Sequence, residues 1–161
     1  MSKYKAIIGR FEHIDVLSGL QNIPAKIDSG AFRSSIHVKE AKVVKKGKSR
    51  LLSFTLLGHP IYGDELKIQT KKFKTISVRS SNGHVAERYE VTLKIRLGYK
   101  VFNTSFTLNN RSENIFPVLI GRRAINGRFM IDPQNTGIDR SELKKALKLP
   151  LDEEDLEGIN T

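Results

Sequence analysis

Ile23-Pro24-Ala25-Lys26-Ile27-Asp28-Ser29-Gly30-Ala31 is the stretch on which the fold turns. Its first five residues alternate loosely between apolar and other side chains, as a short strand does, and the strand stops at a carboxylate. An Asp in that place can hold or orient a water molecule. The Ser29 hydroxyl is close enough to hydrogen-bond within the turn, and Gly30 lets the backbone approach a neighbouring strand or a ligand. Asp, Ser and Gly also build ordinary turns, so the tetrapeptide alone fits a plain loop equally well. The rest of the chain has to supply the other half of a site.

Outward from this stretch the signals are mostly those of strands. Tyr4 to Val16 alternates, with Gly9 as a bend; Ser35 to Lys45 is rich in β-branched residues; Leu51 to Leu57 is a short apolar run. Phe73 to Arg79 runs into Ser80-Ser81-Asn82-Gly83, and Asn-Gly between two strand-like runs is a hairpin signal. Val91, Leu93, Ile95 and Leu97 alternate with polar residues, and Val101 to Leu108 follows a Gly98 turn. Helical patterning is clear only at residues 141–148, where Ser141 is placed to cap the end, and residues 152–157 form an acidic tail expected to be mobile. Many short strands joined by Gly-rich turns predict an all-β barrel or sandwich.

The 161 residues suit one domain, which can bury roughly 70% of its unfolded surface without disulfides. There is no cysteine, which excludes thiol nucleophiles and cysteine-based zinc sites. The apolar run near Met1 is too short for a signal peptide, and no stretch approaches the ~18 apolar residues of a membrane span. A cytoplasmic protein without membrane attachment is the expectation. Lys and Arg number 28 against 17 Asp and Glu; residues 139–161 hold four of the bases and seven of the acids, leaving a net +14 on residues 1–138. A body that positive attracts polyanions or acidic peptides.

A second motif lies far downstream. Phe116-Pro117-Val118-Leu119-Ile120-Gly121-Arg122-Arg123-Ala124-Ile125 is a dense apolar strand ending in Gly, followed by a short helical pattern. Together, the Asp28 loop, the Asn82-Gly83 hairpin and Val118-Leu119-Ile120-Gly121-Arg122 resemble the retropepsin-like aspartic peptidases. The longer runs Lys26 to His37, Val78 to Tyr89 and Leu119 to Pro133 resemble one bacterial and archaeal group of that fold. That group is often called ATP-dependent zinc proteases, and it is often linked with ATP-grasp ligases that add glutamate to protein tails. The resemblance spans about residues 5–135. Ser29 stands where Thr is more usual, Phe32 fills a variable slot, and Arg123 follows the Gly-Arg pair where retroviral enzymes have Asn or Asp.

The resemblance implies a closed retropepsin-like barrel over residues 1–138, then a short C-terminal helix and acidic tail over 139–161. It also implies that Asp28, Ser29 and Gly30 are catalytic. One chain carries one such Asp, whereas adding water to an amide needs an acid and a base. Two carboxylates about 3 Å apart share one proton and supply both, so a homodimer pairing two copies of Asp28 is expected. The Asn82-Gly83 hairpin is a candidate flap. Ala31, Arg33, Arg79, Asn82, Gly83, Arg88, Arg122 and Arg123 are the candidate substrate-binding residues. Arginine pairs carboxylates bidentately, which with the ligase link points to acidic or glutamylated protein tails. No cofactor or metal is expected: no phosphate-binding G-x-x-x-x-G-K-[ST] motif occurs, and His13, His37, His59 and His84 are scattered. His37 is read as a packed histidine or a hydrogen-bond partner near the Asp28 loop, and Asp132 as a turn residue before Pro133. The competing reading is a non-catalytic basic barrel binding RNA, ribosomal or other polyanionic partners, and a third is an inactive dimeric adaptor of the same fold. The acidic tail could also occupy the basic cleft in place of substrate.

Overall fold

β-branched and aliphatic residues dominate the strands, and the alternation that was legible in the sequence sets which face is buried. The structure, a computed structural model, describes residues 5–80 and 82–159, so Tyr4 and the hairpin residue Ser81 lie outside it. Six strands close a barrel: β2 (Phe11–Val16), β3 (Leu20–Ile27), β4 (Ser34–Lys46), β8 (Val85–Leu97), β9 (Lys100–Asn109) and β10 (Val118–Ile120). Their order around the ring is β10-β3-β2-β8-β9-β4, and β4 returns to β10. β5 (Ser49–Leu57) and β6 (Glu65–Thr70) extend β4 into an outlying sheet, and β7 (Lys74–Arg79) forms a hairpin on the first half of β8.

Val91, Leu93, Ile95 and Leu97 of β8 are buried and Thr92, Lys94 and Arg96 between them exposed, the pattern of a strand with one face on a core. They meet Ile14, Ala25, Ile36, Phe106, Val118 and Ile120 in the main core. β10 enters the ring parallel to β3 (Val118 beside Ala25, Ile120 beside Ile27) and antiparallel to β4. Pro24 is tolerated inside β3 because of this register. The amide of Asp28 points to β10 and that of Ile27 toward β2, so the position of Pro24 faces the β10 side, where pairing starts only at Ala25.

Four expectations from the sequence change. The Tyr4–Val16 run is broken at Gly9 and Arg10 into β1 (Ala6–Ile8) and β2, and β1 pairs in parallel with β11 (Phe129–Ile131) in a separate two-stranded sheet. Residues 65–70, which were not read as a strand, form β6. The second helix, α2 (Arg140–Ala146), is capped by Asp139 and not by Ser141; the Asp139 carboxylate accepts the Ser141 amide at 3.0 Å. The acidic tail is not loose: α3 (Glu153–Ile159) packs back on α2, with Asp155 buried in ion pairs with Arg140 and Lys144, while Glu154 pairs with Arg10. Residues 139–159 therefore hold two short helices. α2 is tied to the barrel by a small cluster of Phe11, Phe116, Ile138 and Leu143, in which the two phenyl rings stack at 4.9 Å.

Candidate active site

The turn after β3 is held from two sides. Asp28 donates its amide to Ile120 O at 2.8 Å, so the end of β3 is pinned to the end of β10. Its own Oδ1 accepts the amide of Gly30 at 2.9 Å, an Asx-turn that explains why Asp, Ser and Gly read as turn residues. The short helix α1 (Arg122–Ile125) then begins against the loop. The amides of Arg122 and Arg123, which a helix start leaves without partners, donate to Ala31 O (2.8 Å) and Phe32 O (3.1 Å). Gly121 donates to Ser34 Oγ, and Arg122 Nη1 to Ser29 O, both at 3.0 Å. At Gly121 the chains pass so closely that a Cβ would lie 2.6 Å from Arg33 O and 2.9 Å from Ala31 O, which is why the apolar strand must end in Gly. The Asp28 side chain is left partly exposed at the surface of this assembly.

Beside the loop opens a cleft of about 640 Å³. Gly30 to Arg33 and Ser35 form one wall, the β7–β8 hairpin (with Arg79, His84 and Arg88) forms another, and Thr107, Asn109 and Arg111 close it. Of the predicted binding residues, Ala31, Arg33, Arg79 and Arg88 line the cleft. Asn82 and Gly83 sit in the hairpin turn, where Asn82 takes the Ser80 hydroxyl and Gly83 adopts a φ of +84°. Arg33 and Arg123 are spoken for by buried Glu90 (2.7 and 3.7 Å). Arg33, Arg122 and Arg123 also surround the half-exposed Phe32 ring at 5.7 to 5.9 Å. The acidic tail does not enter this cleft; its carboxylates pair with Arg10, Arg140 and Lys144. Asp132 holds a turn, accepting the Gln134 amide on its side chain and the Asn135 amide on its carbonyl.

Glu90, Arg111 and His59, three residues that the sequence reading left without a site role, bear on this cleft, and His37 joins them. Glu90 is the buried acid that neutralises two of the five predicted arginines. Arg111 lies on the cleft wall; burial lowers its pKa while the charge of Asp28 acts in the opposite direction. Behind it, His37 and His59 meet edge to face at 5.3 Å. His37 Nδ1 accepts the Arg111 amide at 2.8 Å, which puts its proton on Nε2. His59 Nε2 donates to the carbonyls of Arg111 (3.1 Å) and Asn114 (3.0 Å), and its Nδ1 accepts from Ile61. Burial, then electrostatic repulsion from its neighbours His59 and Arg111 that opposes a proton on the ring, pushes His37 down to about 4, and burial also lowers His59, so both rings are neutral at pH 7. Of Glu90, Arg111 and His59, only Arg111 could have been suspected from the sequence, as a base two residues beyond the end of a strand. His37, read from the sequence as a packed or hydrogen-bonding histidine, is buried and accepts from the Arg111 amide. Among the described residues no group of three or more His, Asp or Glu side chains gathers to hold a metal ion, and no helix is long and apolar enough to cross a membrane.

Comparison with known proteins follows the same lines. The sequence profile of a family described as RimB-like, the retropepsin-like aspartic endopeptidase RimB, matches residues 7–142. A probable alpha-L-glutamate ligase of Shewanella halifaxensis is 33% identical over 140 residues, covering 84% of this chain but 30% of the ligase. One from Parasynechococcus marenigrum is 29% identical over 154 residues, covering 91% and 33%. The chain thus spans about a third of the length of these relatives. A crystal structure of a Legionella pneumophila protein of unknown function superposes with a TM-score of 0.65 at 27% identity, covering 83% of this chain and 97% of that one.

Proposed function

The chain belongs to the RimB-like family of retropepsin-like aspartic endopeptidases, and on that premise we propose that it is a cytoplasmic aspartic peptidase with Asp28 as its catalytic carboxylate. The observation that carries the reading is the placement of Asp28: a partly exposed carboxylate, locked at the end of β3 by β10 and α1, at the edge of a cleft rich in guanidinium groups. Glu90 is occupied by Arg33 and Arg123, so the second carboxylate comes from Asp28 of a second copy across a two-fold axis. The exposed ring of Phe32 beside the loop supports such a contact.

In this pair one Asp is ionised and the other protonated. The ionised carboxylate takes a proton from water as its oxygen attacks the peptide carbonyl carbon. The protonated one donates to the carbonyl oxygen, giving a neutral tetrahedral diol. Collapse breaks the C–N bond: the protonated carboxyl gives its proton to the leaving amine, the ionised one takes a proton from a diol hydroxyl as the new C=O forms, and the pair again holds a single shared proton. The Gly30 amide orients Asp28 by holding Oδ1. The β7–β8 hairpin closes over the bound peptide and excludes water.

The substrate is an acidic or glutamylated tail. Arg79 and Arg111 in the cleft support this, and so does the occurrence of a similar domain within longer proteins named as glutamate ligases. A ligase that adds glutamate and a peptidase that removes it share one acceptor tail. The test is cleavage of a peptide ending in several glutamates, followed by mass spectrometry. Asp28→Asn is expected to abolish cleavage, and sedimentation is expected to show a dimer in the active preparation; full activity in Asp28→Asn overturns the assignment.

A further inference from the structure

The cleft guanidinium groups differ in what already holds them. Arg33 is paired with Glu90, and Arg88 donates to the Glu87 carbonyl. Arg79 lies at the end of β7, where the hairpin turns. Arg111 shares with Arg79 and Arg88 the lack of an ion pair among the described residues, and is set apart by being drawn out of water. Its Nε donates to Phe116 O at 3.0 Å, which fixes the plane of the guanidinium, yet among the described residues no carboxylate lies within ion-pairing distance of it. A guanidinium drawn out of water, with the charge of Asp28 acting on it only from beyond ion-pairing distance, is an anion site with room for a second acid, since its remaining N–H groups form a fork matched to a carboxylate.

The backbone at Arg111 is held to a degree that an ordinary loop does not need. Its amide is taken by His37 from β4, and its carbonyl by His59 from the segment between β5 and β6. The same His59 N–H reaches the Asn114 carbonyl, three residues on, and the two imidazoles brace one another edge to face. Two buried neutral rings, one from β4 and one from the segment between β5 and β6, therefore hold the N–H and the C=O of a single residue whose side chain enters the cleft.

We propose that Arg111 is the specificity-determining residue of the cleft, receiving a side-chain carboxylate of the bound peptide beside Asp28, and that His37 and His59 are positioning residues that aim it. This rests on the cleft being the peptide site, but it concerns binding and can be tested apart from catalysis. The experiment is calorimetric titration of an oligoglutamate peptide and a length-matched oligoglutamine peptide into the intact protein carrying Asp28→Asn, so that nothing is cleaved. A charge-assisted hydrogen bond of ordinary strength predicts that adding Arg111→Met weakens oligoglutamate binding about 10- to 100-fold. Oligoglutamine binding should stay within about twofold, and Arg111→Lys should recover part of the loss. His37→Leu, with its thermal unfolding recorded alongside, should lose about fivefold or more in oligoglutamate affinity, and His37→Asn, which offers an acceptor near the Nδ1 position, should restore it.

Oligoglutamate binding unchanged by Arg111→Met, or a preparation that binds neither peptide, overturns the specificity role. Equal binding by His37→Leu and the parent overturns the positioning role. Failure of the catalytic reading would look different: glutamate discrimination through Arg111 would persist while Asp28→Asn made no difference to cleavage.

Discussion

Gly121→Ala tests the central packing of the site with a single methyl group. The backbone at Gly121 has φ −96° and ψ 177°, which alanine adopts freely, so any effect is steric. The added Cβ would stand 2.6 Å from Arg33 O, 2.7 Å from Arg33 C and 2.9 Å from Ala31 O, all backbone atoms with no rotamer to yield. Restoring ordinary contact at 3.4 Å needs a separation of up to about 0.8 Å between the two chain segments. That movement acts on the bonds from Arg122 N to Ala31 O and from Gly121 N to Ser34 Oγ, now 2.8 and 3.0 Å. Overpacking costs about 1–3 kcal/mol and the two lengthened bonds together about 1 kcal/mol, so a loss of roughly 2–4 kcal/mol is expected. Urea unfolding followed by circular dichroism should show the midpoint falling by about 1–2 M at unchanged slope. Gly63→Ala, with open space around it and no positive φ, is the control and should change stability by less than about 0.5 kcal/mol. A Gly121→Ala protein as stable as that control would refute the packing argument.

Acid should weaken the His37–His59 brace. Both rings stay neutral in the folded chain, while unfolded they titrate near the ordinary 6.5, so between about 4 and 6.5 the unfolded chain binds more protons. Stability from this source is full above pH 6.5 and is lost toward pH 4, by at most roughly 3 kcal/mol for His37. His37→Asn should reduce the loss measured between pH 7 and 4.5; an unchanged loss in the variant would sink the assignment. Asp139→Ala removes the cap of α2 and should lower stability by about 1 kcal/mol in urea titration, whereas Ser141→Ala should cost less. Deleting residues 151–161 should leave oligoglutamate affinity unchanged, because the tail's acids sit on Arg10, Arg140 and Lys144; a rise in affinity would make the tail a competitor for the cleft.

Much of the barrel was legible because β8 and β9 carry the period of two that a half-buried strand requires, and because two separated motifs flank the Asp28 loop. β6 carries the same alternation at Leu66 and Ile68 but is short and rich in polar residues, and its pairing with β5 decides the matter. β1 and β11 were hidden for another reason: three residues are too few for a pattern, and their pairing joins segments more than 120 positions apart in the chain. The turn at Asp28 and the need for Gly at position 121 could be read because both follow from a few adjacent residues. Which arginines remain available could not, since Glu90 stands 57 positions beyond Arg33 in the chain and only the fold brings them together. The ordered acidic tail misled for the same reason: its composition suggests disorder, but Arg140 and Lys144 across the α2–α3 turn neutralise it.

The position of β10 also bears on how the chain reaches its working form. Val118 and Ala25 are neighbours in the ring but more than ninety positions apart in the chain, so the ring closes through one of its longest-range pairings. Such contacts form late, because the loop entropy is lost before the contact repays it. Until that step Asp28 lacks the Ile120 carbonyl and the α1 amides that hold its turn. A nascent or truncated chain that ends before residue 118 therefore carries the Asp28 sequence without the turn that the complete barrel imposes on it.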